Sequence, residues 1–235
     1  MALVELENVS KTYRNHVEVQ ALRGVTLSLQ AGSFVAVAGP SGSGKTTLLN
    51  ILGALDRPDE GRVCVADLDL AAAPSNQLAD FRMRHIGFVF QAYNLFPVLS
   101  GIENLEFIAA LQGRPRAERT RRAMELLEMV GLAEIRDKRP DEMSGGQQQR
   151  VAVLRAILTE PELVLADEPT ANLDSTNASL LLDMMEQLNR EKGITFLFST
   201  HDPLVMDRAR RLIRLRDGNV ISDEVRDRCP RSGLS

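Results

Sequence analysis

The sequence predicts an α/β fold in three parts: a parallel-sheet core, an N-terminal antiparallel β subdomain and an inserted α-helical lobe. Four runs are apolar almost throughout, as expected of strands that helices cover on both faces. These runs are 34–38, 86–90, 163–166 and 194–198. Helical patterns separate them, so right-handed crossovers between parallel strands are expected. Before and after residue 20, segments 3–9 and 25–29 instead alternate polar and apolar residues, which predicts half-buried antiparallel strands.

The segment from about 100 to 142 predicts helices only, because its apolar residues recur at helical spacing and Gly131 is a stop signal. It lies between two core strands, so it is expected to form an inserted lobe within a domain that spans residues 3–223. The polar tail 224–235 is expected to be flexible. The basic run 114–122 favours a solvated helix face, with a contact to lipid phosphates or a partner as the alternative.

Composition excludes several classes of protein. A chain of 235 residues with 44% hydrophobic residues can bury the core of one large domain. The net charge of −4 and the absence of Trp argue against a nucleic-acid partner. The two cysteines, Cys64 and Cys229, predict a reduced, cytosolic compartment. The start of the chain lacks a signal-peptide pattern, and no run approaches the ~20 apolar residues of a membrane span. At a membrane, another chain would therefore hold this one.

A complete phosphate-loop pattern follows the first core run. Its glycines let successive backbone N–H groups point at a phosphate, Lys45 would reach the β- and γ-phosphates of ATP, and the Thr46 hydroxyl would bind Mg²⁺. The order of strand, loop and helix disfavours the alternative, a glycine-rich turn with a surface lysine, and predicts a P-loop NTPase core. The predicted ATP-binding residues of the loop are Gly39, Pro40, Ser41, Gly42, Ser43, Gly44, Lys45, Thr46 and Thr47.

Another core run, 163–166, is followed directly by two adjacent carboxylates, Asp167 and Glu168. Presenting two acids at the end of a buried strand is unfavourable unless a cation or a reacting water uses them. Asp167 is predicted to be the metal-side acid, and Glu168 the general base that polarises the attacking water.

Two further polar residues are expected at the same sheet edge. His201 closely follows the run 194–198, and its imidazole can bridge the γ-phosphate and the catalytic carboxylate, although a structural histidine is the alternative. Gln91 directly follows the run 86–90 and can place its amide oxygen on Mg²⁺ or water. Glu168, His201 and Gln91 are therefore the catalytic candidates. The metal candidates are Thr46, Gln91 and Asp167.

A second anion site is predicted at the start of a helix, by Ser144, Gly145, Gly146 and Gln147. A hydroxyl, free backbone N–H groups and the helix dipole all favour an anion there. The phosphate loop already supplies such groups for one nucleotide. Two sites on one short chain therefore predict that two copies grip each γ-phosphate from both sides.

Together these motifs resemble those of the ATP-binding-cassette transporter ATPases over about residues 3–223. The resemblance implies that Tyr13 stacks on adenine as a flat contact, for which Phe would serve nearly as well. It also implies that Asp174 contacts the opposite subunit of a homodimer. Met143 stands where the family usually has Leu, a volume-conserving change.

Stretches 49–58 and 86–97, with Glu103-Asn104-Leu105, are similar to the lipoprotein-release and macrolide-export subfamily. This implies a separate integral-membrane permease with a large extracytoplasmic domain, at the cytoplasmic face of the inner membrane. The cargo would be lipoprotein, lipid or drug-like. The Asn-Leu-Phe-Pro stretch also occurs in importers of polar amino acids, which leaves an importer ATPase as an alternative. The apolar segment 92–106 is expected to receive a permease helix or to close the core of the lobe.

Three other functions fit less well. A soluble cassette ATPase for DNA repair or chromosome structure would separate the phosphate loop and the second anion site by long coiled coils, and no heptads intervene here. A ribosome-acting translation factor carries two cassettes in one chain. A phosphate-loop kinase leaves residues 144–147 unexplained.

Overall fold

The computed structural model describes residues 2–14 and 18–226. The strands are β1 (Ala2–Arg14), β2 (Glu18–Gln30), β3 (Phe34–Ala38), β4 (Glu60–Val65), β5 (Leu68–Asp69), β6 (Ile86–Val89), β7 (Leu163–Asp167), β8 (Thr195–Thr200), β9 (Arg211–Arg216) and β10 (Asn219–Val225). The helices are α1 (Lys45–Leu52), α2 (Ser75–His85), α3 (Gly101–Leu111), α4 (Arg116–Met129), α5 (Gly145–Ile157), α6 (Ser175–Lys192) and α7 (Pro203–Arg208). Short 3-10 turns at Ala133–Ile135 and Pro140–Glu142 lie between α4 and α5.

The larger sheet has the strand order β10-β9-β3-β8-β7-β6. Its strands β3, β6, β7, β8 and β9 run parallel, and β10 is antiparallel to β9. Every residue of β3 and β8 is buried, as expected of parallel strands under two layers of helices. The predicted parallel core is confirmed. Because Asp167 and Val37 both pair with Ser199, the ends of β3, β7 and β8 meet at one edge.

The smaller sheet, in the order β2-β1-β4-β5, is antiparallel as predicted. Helix α1 packs between the two sheets, where its apolar residues share one hydrophobic cluster with Val35 and Val37 of β3. The alternate residues Phe34, Ala36 and Ala38 face a second cluster, formed with α3 to α6. Because α1 begins at the phosphate loop, this three-layer packing fixes the loop in the fold.

Helices α3 and α4 occupy the segment between β6 and β7. A capping box starts α3: Ser100 Oγ accepts from Glu103 N, and Glu103 Oε2 accepts from Ser100 N. In the basic run, the Arg119 guanidinium lies 2.8 Å from Glu106 and that of Arg122 lies 3.1 Å from Glu160. These internal ion pairs favour the solvated helix face over a contact with lipid phosphates.

The flexible tail was predicted to begin at residue 224, which is too early. Glu224 and Val225 belong to β10, where they pair with Leu212 and Arg211. The sequence there is polar, but backbone hydrogen bonds to β9 extend the strand as far as Val225. The remainder of the predicted tail, 227–235, lies outside the described residues, and so does Cys229.

Candidate nucleotide-binding and hydrolysis site

A cleft of about 670 Å³ opens at the carboxyl edge of the parallel sheet, between that edge and the first hairpin. It collects the predicted catalytic and nucleotide-binding residues from five separate parts of the chain. Its lining comprises Tyr13, Val19, Ala21, Pro40, Ser41, Gly42, Ser43, Gly44, Lys45, Thr46, Thr47, Gln91, Asp167, Glu168, Ser199 and His201. Of the predicted phosphate-loop residues, only Gly39 is not part of this surface.

The phosphate loop turns sharply at two glycines with positive φ, 77° at Gly42 and 103° at Gly44. A Cβ at Gly44 would lie 2.3 Å from the carbonyl oxygen of Ala21, whereas one at Gly42 would meet nothing within 4 Å. The Lys45 ammonium donates hydrogen bonds to the carbonyls of Gly39 (2.8 Å) and Pro40 (3.0 Å). These bonds hold the cation inside the turn of backbone N–H groups, as binding of an anionic phosphate requires.

Two predicted magnesium ligands lie side by side. The Thr46 hydroxyl donates to Asp167 Oδ2 at 3.2 Å, and Gln91 faces the same cleft. Hydroxyl, carboxylate and amide oxygens are hard donors of the kind that Mg²⁺ prefers, with nucleotide phosphates completing its shell. The residues present therefore fit the metal.

Glu168 and His201 are in direct contact. Glu168 Oε1 lies 2.7 Å from His201 Nδ1, and Glu168 Oε2 lies 3.4 Å from both Thr200 Oγ1 and the His201 backbone N–H. The side chain of Glu168 is 16% exposed and that of His201 is 73% exposed. Glu168 also has a φ of 47°, a strained value for a residue with a Cβ, of the kind found at functional sites. The geometry presents a half-buried carboxylate that a histidine orients toward the cleft.

The predicted second anion site lies away from this cleft, since none of its four residues lines it. Ser144 caps α5 in a capping box with Gln147: Ser144 Oγ accepts from Gln147 N at 3.2 Å, and Gln147 Oε1 accepts from Ser144 N at 2.9 Å. A Cβ on Gly145 would lie 2.8 Å from the Tyr93 hydroxyl, and one on Gly146 would lie 2.3 Å from Asn177 Oδ1. Within one chain, therefore, Ser144 and Lys45 do not share a site.

Asp174 is the N-cap of α6. Its carboxylate accepts from the Asn177 backbone N–H at 2.9 Å and from Asn177 Nδ2 at 2.6 Å. These hydrogen bonds lower the pKa of Asp174, which keeps the carboxylate charged. Asn177 also lies against Gly146, so the predicted dimer loop and the start of α5 are neighbours.

Sequence reasoning missed several residues that hold the site together. Gln149 is fully buried on α5, and its Nε2 donates to the carbonyls of Phe90 (3.3 Å) and Pro169 (2.7 Å). Thr170 donates to Asp202 at 2.6 Å, which joins the loops that follow Glu168 and His201. The Tyr13 hydroxyl donates to Asp56 Oδ2 at 2.8 Å. In the sequence, Gln149 stands in the polar run Gln147-Gln148-Gln149-Arg150, so nothing in the residue pattern distinguished it from its neighbours.

Residues 22–171 match the protein family described as ABC transporter. The chain belongs to this family. It is an ATPase that binds ATP with Mg²⁺, as predicted, and its fold and the lipoprotein-release and macrolide-export resemblance are confirmed. The roles of individual site residues stay predictions.

Two curated relatives show how far the similarity extends. The lipoprotein-releasing system ATP-binding protein LolD of Anaeromyxobacter dehalogenans is 47% identical over 222 residues, 94% of this chain and 93% of the relative. The macrolide export ATP-binding/permease protein MacB of Syntrophobacter fumaroxidans is 46% identical over 223 residues, 94% of this chain but 31% of the relative. This ABC ATPase thus spans about a third of the length of the MacB relatives that it matches.

A solved structure of similar fold is a dimeric ATP-binding cassette in a post-hydrolysis state, bound to ADP and Pi. It has a TM-score of 0.85 and 40% identity, and the match covers 94% of this chain and 98% of the other. Within residues 2–14 and 18–226, no helix is long and apolar enough to span a membrane.

Proposed function

We propose that this ABC ATPase dimerises around two ATP molecules and drives a separate membrane permease. The permease would carry a large extracytoplasmic domain and export or extract lipoprotein, lipid or drug-like cargo. The ATPase would be held at the cytoplasmic face of the inner membrane. The similarity to a lipoprotein-releasing ATP-binding protein and to a macrolide exporter favours this over an amino-acid importer.

The contact of Glu168 with His201, beside the Thr46–Asp167 pair, carries the catalytic part of the proposal. Lys45 and the backbone N–H groups of the loop bind the β- and γ-phosphates, and Thr46, Asp167 and Gln91 would hold the Mg²⁺. Bound Mg²⁺ neutralises charge on the phosphates. Glu168 accepts the proton of the attacking water, and His201 orients that carboxylate while its other ring nitrogen is left for the γ-phosphate.

Dimerisation is supported by the separation of the two anion sites within one chain. In a head-to-tail pair, Ser144 to Gln147 of one copy would face the phosphate loop of the other, with Asp174 nearby. The dimeric state of the similar cassette supports the same arrangement.

A groove of about 460 Å³ supports a contact with the permease. It lies between α2, the end of β6 and α3, and most of its lining is apolar. Phe96 is 39% and Leu111 is 61% exposed, whereas Leu105 is buried. The apolar segment 92–106 is therefore divided: its first part faces the groove and its last part closes the lobe. We propose that a cytoplasmic helix of the permease occupies the groove.

The decisive experiment is Glu168→Gln. We expect the variant to bind ATP normally, to hydrolyse it at least ~10²-fold more slowly, as loss of a general base implies, and to accumulate as an ATP-bound dimer. Glu191→Gln, on the exposed face of α6, is the matched control and should behave as wild type. Light scattering that shows a monomeric Glu168→Gln variant at saturating ATP and Mg²⁺ would refute the proposed dimer mechanism.

A further inference from the structure

The wall of the cleft beside Tyr13 contains a polar network that the nucleotide chemistry does not use. Tyr13 lies near the end of β1, where it pairs with Val19 of β2. Its ring is half-buried at the mouth of the cleft. The hydroxyl donates to Asp56 Oδ2 at 2.8 Å, and the Thr47 side chain is near enough to it to affect the pKa of Tyr13.

Asp56 is itself held firmly, from two directions. Its other oxygen lies 3.0 Å from the Lys11 ammonium and accepts from the Arg57 backbone N–H at 2.7 Å. The backbone N–H groups of Leu55 and Asp56 both donate to the carbonyl of Asn50, on α1. Asp56 is thus attached to the end of the helix that begins at Lys45.

The charges in this network favour the observed hydrogen bond. Burial opposes ionisation of Asp56, but the hydrogen bonds from Tyr13 and Lys11 bring its pKa below the ordinary value, so it is a carboxylate at neutral pH. Burial and the hydrogen bond to Asp56 raise the pKa of Tyr13, which therefore keeps its proton. Lys11 also donates to the carbonyl of Arg57 at 2.7 Å, and Asp59 lies 3.4 Å from its ammonium.

We propose that Asp56 is a positioning residue for adenine: it fixes the plane of the Tyr13 ring relative to the phosphate loop. One helix, α1, carries the phosphate-binding lysine at its start, and the loop at its end carries the carboxylate that holds the ring. The distance between the base contact and the phosphate contact is set in this way. The inference rests on the proposed stacking of Tyr13 on adenine.

The network changes what is expected of Phe at position 13. A phenyl ring could still stack, but it would lose its attachment to Asp56. Tyr13→Phe and Asp56→Ala should therefore raise the KM for ATP by a similar factor, about three- to tenfold for one hydrogen bond, with kcat within about twofold. Tyr13→Ala should raise KM further. Asp56→Asn keeps an acceptor oxygen and should stay within about twofold of wild type.

A double-mutant cycle separates positioning from general stability. In the Tyr13→Phe background, Asp56→Ala should raise KM no further, because the hydroxyl is already gone. Inhibition by inorganic tripolyphosphate, which has no base, should be unchanged in Asp56→Ala. Asp59→Ala is the control, since it removes a partner of Lys11 and of the Thr12 backbone N–H but leaves the hydrogen bond of the Tyr13 hydroxyl intact, and its KM should stay within about twofold.

Each contrary result has a defined meaning. If Asp56→Ala raises KM equally in the Tyr13→Phe background, weakens tripolyphosphate binding, or is matched by Asp59→Ala, the positioning role is overturned. It is also overturned if Tyr13→Ala raises KM and Asp56→Ala does not. If Tyr13→Ala leaves KM unchanged, or matches Tyr13→Phe, the stacking itself is wrong, and that outcome counts against the proposed adenine contact.

Discussion

The phosphate loop and the segment 90–99 after β6 are both irregular backbone near one sheet edge, yet they are held in different ways. Three hydrogen bonds lie within the loop, from Ser43 N to the Pro40 carbonyl (3.2 Å) and from Lys45 to the Gly39 and Pro40 carbonyls. Two join it to other strands and turns, from Gly218 N to the Ser43 carbonyl (3.1 Å) and from Thr46 to Asp167. Its two turns use glycines with positive φ. A motif of this kind carries its own conformation.

Side chains from other elements hold the segment 90–99. Its carbonyls accept from Gln149 at Phe90, from Asn172 at Gln91, and from Arg155 at Tyr93 and Asn94. Asn104 binds both the N–H and the carbonyl of Phe96. The conformation of the phosphate loop therefore depends mostly on its own residues. The conformation of the segment 90–99 depends on side chains of α3, α5 and the loop after β7.

The largest effect is expected from Gly44→Ala in the phosphate loop. At a φ of 103°, with a Cβ placed 2.3 Å from the Ala21 carbonyl oxygen, the loop must distort, at a cost of roughly 2–4 kcal/mol in ATP binding. Gly42→Ala has space around its Cβ and bears only the strain of positive φ, about 1–2 kcal/mol. Nucleotide titration would measure both. If the two variants lose equal ATP affinity, the close approach of residue 44 to the Ala21 carbonyl does not contribute to the loss.

An intermediate effect is expected from Asn104→Leu, which acts on stability rather than on ATP binding. The buried amide donates to the carbonyls of Phe96, Leu99 and Ser100. Its loss leaves polar groups of the segment unpaired, and we expect a decrease of about 2–3 kcal/mol in the free energy of unfolding. Urea denaturation would measure it, with the exposed Asn219→Leu as control. If Asn104→Leu is as stable as wild type, the segment 90–99 does not depend on the hydrogen bonds of Asn104.

We expect the smallest effect on the isolated ATPase from placing a negative charge in the apolar groove. The effect should appear only in the complex with the permease. Phe96→Glu or Leu111→Glu should leave ATP binding near normal and reduce co-purified permease about tenfold or more, since a buried carboxylate opposes docking of an apolar helix. Leu99 is half-buried, so a charge there tests the fold as well as the interface. Leu180→Glu is the control, because the exposure of this α6 leucine lies between those of Phe96 and Leu111.

Two outcomes would count against the groove. Undiminished permease binding by folded Phe96→Glu and Leu111→Glu variants would place the contact elsewhere. If both variants fail to fold while Leu180→Glu folds, the residues belong to the core of the lobe.

The sequence alone determined the parts of this protein that are short-range. Periodicity indicated both sheets and the helical lobe, since a strand or helix that buries one face must repeat with its own period. The phosphate loop could be located because its chemistry needs glycines, a lysine and a hydroxyl at fixed spacing. Asp167 and Glu168 stood out because acids rarely end a buried strand without a use for them.

Only the tertiary structure decided how those parts meet. The contact of Glu168 with His201 joins two crossover loops, and the contact of Tyr13 with Asp56 joins the first hairpin to the end of α1. Neither pair has a sequence spacing that marks it, because strand order and helix packing bring the partners together. The same holds for Gln149, whose amide binds carbonyls on two other segments. A hydrogen bond depends on distance in space, and a sequence records only distance along the chain.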